Sequence, residues 1–318
     1  MNLPAGYSAR PATEGDLDAV VALLEADQLA GMGSTDNVRE EIVWLWPLAY
    51  VDLARDTVVV TAGKDLAGYG DALWDPAAPG PLAGRGAVHP AHLGRGIGAS
   101  LVAWTRNVAR ERGAPGLRHN GVDAGNAAAR ALLEANGFAH VRDFYTMVRA
   151  LPAGVPPPPP DGIEIRVFET GRDERALYEN HEATFADHWG FVPEPYESFA
   201  AEWFESEDWV PDLTYLAVDG DEVVGHAAAL EFALRGFVAS LGVLREWRGR
   251  GIAQALLYRA FADLAARGQP EVALGVDAAS PTRAVALYEK VGMMVRHRYV
   301  TYDLGTGVAP IATDEAKD

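Results

Sequence analysis

The chain has 318 residues, 49% of them hydrophobic and 23% charged, an ordinary globular composition with enough apolar material for one large core or two medium ones. It contains no cysteine, which excludes disulfides, thiolate metal sites and a cysteine nucleophile, and no window approaches the roughly 18 uninterrupted apolar residues of a membrane span. The formal net charge of −18 repels nucleic-acid phosphates and anionic lipid and favours a cationic or neutral partner, although solubility alone would also account for it.

Residues 1–13 lack a basic region followed by an apolar core, so the expectation is a cytoplasmic protein with a small-molecule partner, with no nucleic acid, membrane or metal involved. The acidity is uneven. Residues 1–150 hold 13 Lys and Arg against 17 Asp and Glu, so most of the excess lies in the second half.

In chain order, residues 8–12 read as a short strand. Thr13, followed by acidic residues, caps a helix over 17–26 with apolar positions at helical spacing. Residues 58–62 and 66–73 form a strand pair turning at Gly63-Lys64-Asp65. A short strand at 86–88, a glycine-rich turn and a long helix over 98–110 follow. Then come a strand, a helix over 127–136, a glycine turn and a final strand pair.

Five prolines at 156–160 cannot donate backbone hydrogen bonds and favour a stiff extended spacer, so neither a helix nor a central strand crosses them. Beyond them the same order returns: strands over 215–218 and 223–231, a strand over 238–243, a helix over 253–266 and a helix over 282–291. Arg95 and Gly96 match Arg250 and Gly251 at an offset of 155, as do Glu134 and Glu289, Gly137 and Gly292, and Thr146 and Thr301. So long a period indicates duplication of a whole domain rather than a solenoid. The expected domains are residues 1–152 and 163–306, joined by a proline-rich linker at 153–162 and followed by a tail at 307–318. Each is expected to be a mixed α/β unit, a mostly antiparallel sheet flanked by helices.

The most informative segments are residues 88–98 and 243–253, each a glycine-rich turn joining a strand to a helix. Small residues let the main chain approach an anion, and the free amides at the positive end of a helix suit a pyrophosphate. One such turn is weak evidence; two at equal spacing are strong. No Gly-x-Gly-x-x-Gly stands near the start of either half, which disfavours a dinucleotide-binding fold.

At these residues the chain resembles the GNAT superfamily of N-acetyltransferases, whose signature Gln/Arg-x-x-Gly-x-Gly/Ala is matched by Arg248, Gly251 and Ala253. The resemblance covers about residues 8–149 and again 163–304. It implies acetyl-CoA as cosubstrate, its pyrophosphate held by amides around Arg248, Gly249, Arg250, Gly251 and Ala253 and its pantetheine lined by the strand through Leu241 and Val243. Val88, Gly94, Arg95, Gly96 and Gly98 are the corresponding candidates in the first half. Leu287-Tyr288-Glu289-Lys290-Val291-Gly292-Met293 resembles the family's closing helix, which implies Tyr288 as proton donor to the departing thiolate.

The first half has Leu133 where the second has Tyr288, and Leu93 where it has Arg248, so catalysis is expected in the C-terminal domain. This arrangement is similar to that of the mycothiol synthase family, which acetylates a cysteinyl amine on a sugar–inositol scaffold. Two residues depart from that family: Ser280 stands where Asn is expected, and the strand over 236–243 lacks the expected glutamate. The first candidate for a general base is Glu231, followed by His226, His181 and His188. The aromatic residues Trp189, Phe191, Tyr196, Phe199, Trp203, Phe204 and Trp209 could wall an acceptor pocket or form core. The alternative reading is a non-catalytic acetyl-CoA-binding sensor or interaction module.

Overall fold

The computed structural model describes residues 1–35, 38–76, 80–154, 157–206 and 209–305; Pro156 and the expected tail at 307–318 lie outside the described residues. The described residues divide into two compact units, one of residues 1–143 with 299–305, the other of residues 144–298. These units are drawn differently from the 1–152 and 163–306 ranges expected from the proline run, because each takes its last strand from the other half of the sequence.

Unit 1 contains, in order, β1 (Ser8–Arg10), α1 (Leu17–Met32), α2 (Val38–Leu45), α3 (Leu53–Asp56), β2 (Thr57–Ala62), β3 (Asp65–Leu73), β4 (Leu82–Val88), α4 (Ile97–Arg112), β5 (Gly116–Asp123) and α5 (Ala127–Ala135). Strands β1 to β4 form antiparallel neighbours in sequence order, whereas β5 runs parallel to β4. The chain then enters β6 (Ala139–Ala150), a single strand of 12 residues where a strand pair was expected. It contains neither glycine nor proline, so nothing in it makes a turn.

Unit 2 repeats the plan with β7 (Glu164–Val167), α6 (Glu174–Phe185), α7 (Tyr196–Trp203), β8 (Thr214–Asp219), β9 (Glu222–Glu231), β10 (Gly236–Val243), α8 (Ile252–Ala266), β11 (Glu271–Asp277) and α9 (Ala284–Lys290). Here too β10 and β11 are the parallel pair and the other neighbours are antiparallel. The chain closes with β12 (Met294–Gly305), again one uninterrupted strand. Residues 144–150 of β6 complete the sheet of unit 2 by pairing with β11, and residues 299–305 of β12 complete unit 1 by pairing with β5.

The duplication extends to the start of each first helix. In unit 1, Arg10 clamps Asp16 at 2.7 Å through both nitrogens; in unit 2, Arg166 clamps Asp173. Each carboxylate also accepts a backbone amide at the helix entry, and the arginine holds it well below the usual carboxylate range despite burial. The side chains that α8 buries, among them Leu256, Leu257, Phe261 and Leu264, pack on Tyr215, Val224, Ala227, Val272 and Leu274 of the sheet. That face fixes where the N-terminus of α8 points. Among the described residues no helix is long and apolar enough to cross a membrane.

Candidate functional site

In unit 2 the parallel pairing of β10 with β11 stops after Gly236 and Phe237. The register of β10 against β9 then shifts between Val238 and Ser240, a bulge that bends the strand away. The opening holds a cavity of ≈ 490 Å³, lined by residues 238–243 of β10, Leu274 to Asp277 of β11, the turn before α8, and Tyr288 of α9. Edge backbone groups of β10 thus face a slot rather than a neighbouring strand.

The turn itself has Gly249 at φ 79° and Gly251 at φ 90°, a left-handed backbone that side chains disfavour. Gly251 is the N-cap of α8. Among the described residues, the amides of Gly249 through Gln254 make no hydrogen bond, so six donors at a helix's positive end are free to meet an anion. Gly249 and Gly251 line the cavity. The Arg248 guanidinium ties the turn down, donating to the Val243 carbonyl at 3.0 Å and to Asp187 at 3.0 Å, and Arg250 stacks on Trp247 at 4.4 Å. Leu241, Val243, Arg248, Gly249, Gly251 and Ala253 therefore come together around one cavity, while Arg250 sits outside its wall. Free amides of this kind at a helix's positive end are suited to an anion such as a diphosphate.

Tyr288 is 8% exposed and lines the same cavity. Its hydroxyl has no hydrogen-bond partner among the described residues, and burial pushes its pKa up to about 12, so it stays a proton donor at neutral pH. Glu231 stands apart: it lies at the far end of β9, where Arg267 donates to it at 2.8 Å, and it is not among the lining residues. Of the aromatic candidates, Trp189 lines the cavity together with Phe185. Phe199, Trp203, Phe204 and Trp209 pack against one another, mostly edge to face, and Phe204 and Trp209 also against Phe168.

Two of the histidine candidates, His226 and His181, join a buried polar network with Asn180 and Ser240. The fully buried His226 contacts Asn180 Oδ1 through Nδ1 at 2.7 Å and Ser240 Oγ through Nε2 at 2.8 Å. His181 Nδ1 reaches the same hydroxyl at 3.3 Å. Burial lowers His226 to about 3 and His181 to about 4, so both are neutral. Ser240 and His188 line the cavity. Sequence reasoning named the histidines but missed Asn180 and Ser240; the available signal was polar residues at inward positions of otherwise apolar elements.

Unit 1 has its own cavity of ≈ 800 Å³, walled by Val88, Gly94, Gly96 and Gly98 among others. Gly94 and Gly96 have φ of 72° and 84°, and the amides of residues 94–99 likewise make no hydrogen bond among the described residues. Arg95 turns outward to the Tyr7 hydroxyl at 3.0 Å. Leu133 lines this cavity and is 4% exposed, an apolar group in the place that Tyr288 occupies in unit 2. No group of three or more His, Asp or Glu that could hold a metal occurs among the described residues.

Two segments, residues 17–138 and 175–293, match the model of the acetyltransferase (GNAT) family. A mycothiol acetyltransferase of Thermobispora bispora is 34% identical over 88% of this chain and 93% of its own length, and one of Streptomyces scabiei is 29% identical over 92% and 90%. Among solved structures, a GCN5-related N-acetyltransferase from Sphaerobacter thermophilus superposes with a TM-score of 0.83 at 36% identity, covering 96% of this chain and 97% of that one. A tandem GNAT protein from the clavulanic acid biosynthesis pathway shares the fold at 16% identity, with a TM-score of 0.75 over 95% and 99% of the two chains.

Proposed function

Because this chain belongs to the GNAT family of acetyltransferases, with acetyl-CoA as cosubstrate, we propose that unit 2 transfers the acetyl group to a primary amine of a small molecule by direct attack. Acetyl-CoA supplies a thioester carbon open to the amine. The protein supplies binding, orientation and a proton. Free amides of residues 249–254 hold the diphosphate. The unpaired edge of β10 through Leu241 and Val243 hydrogen-bonds the pantetheine arm, and a main-chain amide near Val243 steadies the developing oxyanion. Tyr288 protonates the departing sulfur.

The observation that carries this reading is a buried phenol, without a hydrogen-bond partner among the described residues, in the wall of the cavity that the free amides overlook. Replacing Tyr288 by Phe is expected to lower kcat about 100-fold, the ordinary scale of a general acid, with little change in KM for acetyl-CoA. Thiol release from acetyl-CoA across a panel of primary amines measures it, and the reading is abandoned if no amine stimulates release by the unaltered protein. Relatives named mycothiol acetyltransferase make the cysteinyl amine precursor of mycothiol the first acceptor to include. Glu231 takes no part in this reading, since it is held by Arg267 away from the cavity.

We extend coenzyme binding, without transfer, to unit 1. Its turn keeps the free amides, but Leu133 has no proton to give. Calorimetry is expected to find two equivalents of coenzyme A per chain.

A further inference from the structure

The duplicated halves allow each part of the unit 2 site to be compared with its counterpart in unit 1. Gly68 faces Val88 in unit 1 as Gly225 faces Val243 in unit 2. Counting back from those pairs along the register, Tyr69 occupies the place of His226 and Arg85 that of Ser240. Asp16 and Asp173 are the N-caps of α1 and α6, and counting from them Leu23 occupies the place of Asn180 and Leu24 that of His181. All four members of the polar network are absent from unit 1. There Arg85 is held by Asp71 at 2.9 Å and Glu41 at 3.1 Å, a group that accepts no proton. The network is thus confined to the unit that also carries Tyr288.

Its hydrogen bonds run in one direction. The Asn180 side-chain amide donates to the Val223 carbonyl at 2.9 Å, which turns its Oδ1 toward His226. His226 therefore carries its proton on Nδ1 and donates it to Asn180, leaving Nε2 as an acceptor for the Ser240 hydroxyl. With its own proton so directed, the Ser240 oxygen has two lone pairs; His181 Nδ1 stands 3.3 Å from it and can occupy one, which leaves the other for a group in the cavity that the residue lines. The order is that of an orienting group, a base and a hydroxyl, set in the wall of the acetyl-transfer cavity.

We infer that Ser240 is the group that takes the proton of the attacking amine, passing its own to His226, with Asn180 as the positioning residue that fixes the imidazole. This rests on the acetyltransferase reading above. As the amine nitrogen bonds to the acetyl carbon, one N–H proton moves to Ser240 Oγ and the Ser240 proton moves to His226 Nε2. The C–S bond breaks and sulfur takes the Tyr288 proton. The buried imidazolium then returns a proton to Ser240 Oγ, and the proton Ser240 gives up passes through solvent to the Tyr288 phenolate, so the sum is amine plus thioester giving amide plus thiol. His226 is a weak base in so buried a place, which puts the expected contribution at the low end of general-base effects.

The test is steady-state thiol release with acetyl-CoA and an active primary amine, alongside coenzyme A calorimetry, on the full chain. Ser240→Ala is expected to lower kcat about 100-fold while KM for acetyl-CoA and the coenzyme A affinity stay within about twofold. Ser240→Thr, which keeps a hydroxyl, is expected to recover part of the loss. Asn180→Leu, the unit 1 residue, is expected to reproduce the Ser240→Ala defect without adding to it in the double variant. Unchanged kcat in Ser240→Ala, with the unaltered protein active, overturns the relay but leaves the acetyltransferase reading intact. A parallel loss of coenzyme A binding makes Ser240 a packing residue and also overturns it. So does isolation of an O-acetyl-Ser240 protein after incubation with acetyl-CoA alone, which would assign the hydroxyl to covalent transfer.

Discussion

Gly242 leaves no room for a side chain: a Cβ there would collide with the Thr184 side chain and come within 2.6 Å of His226 Cε1. The contact brings α6 down onto β10 and so joins Asn180 and His181 to Ser240. Gly242→Ala is expected to destabilise the protein by about 1–3 kcal/mol, the usual cost of overpacking a dense core, measured as a lower urea midpoint with an unchanged slope. Gly251 is constrained differently. A Cβ there would make only an ordinary contact with the Pro160 side chain at 3.8 Å, but its φ of 90° is unfavourable for alanine, so Gly251→Ala is expected to weaken coenzyme A binding about tenfold and abolish most turnover. Gly96→Ala should instead affect only the second equivalent of coenzyme. Both turn glycines were legible in the sequence, because a repeated Gly-x-Gly at a strand-to-helix junction has few other uses. Gly242 was not, since its reason is a helix 58 residues earlier in the chain.

At the scale of elements, the long final strands carry the largest departure from the sequence reading. Periodicity and turn chemistry located the helices over 98–110 and 253–266 to within two residues, because those signals are local, whereas the strand expected at 86–88 begins four residues earlier, at Leu82. The identity of a strand's partner is not local. Residues 299–305 pair with β5 residues 176 to 189 positions earlier in the chain, and alternation alone cannot choose among sheet edges that offer the same backbone ladder. A chain truncated after Arg298 is therefore expected to leave the β5 edge bare, so that unit 1 loses cooperative unfolding and becomes aggregation-prone. Unit 2 contains none of the removed residues and should keep its coenzyme A affinity. Limited proteolysis with calorimetry distinguishes that outcome from a uniform loss.

For the whole molecule, the buried histidines set how stability follows pH. Burial holds His119 at about 4 and His226 at about 3, below the ordinary 6.5. As pH falls through 6.5 the unfolded chain takes up protons that the folded chain refuses, so stability is fully present above 6.5 and is lost progressively toward the folded values. At pH 5 each histidine should cost about 2 kcal/mol relative to pH 7.5. His119→Gln and His226→Gln are each expected to flatten the dependence of Tm on pH over this range, with His226→Gln acting on unit 2 and His119→Gln on unit 1. The net charge of −18 repels itself least as acids are neutralised, which opposes this trend; the substitutions isolate the histidine part.

The sequence by itself determined that the chain is duplicated, that each copy places free amides at a helix start, and that only the second copy keeps a tyrosine on its closing helix. These follow from spacing along one chain, which physical chemistry reads locally. Only the tertiary structure decided that Glu231 faces Arg267 rather than the cavity, that Asn180, His226 and Ser240 share one hydrogen-bonded line, and that each unit closes with a strand from the other half. Each of these depends on which residues distant in sequence meet after the hydrophobic faces are buried, and burial is not directional. The sheet register and the bulge in β10 supply the direction, and they exist only once the strands have paired.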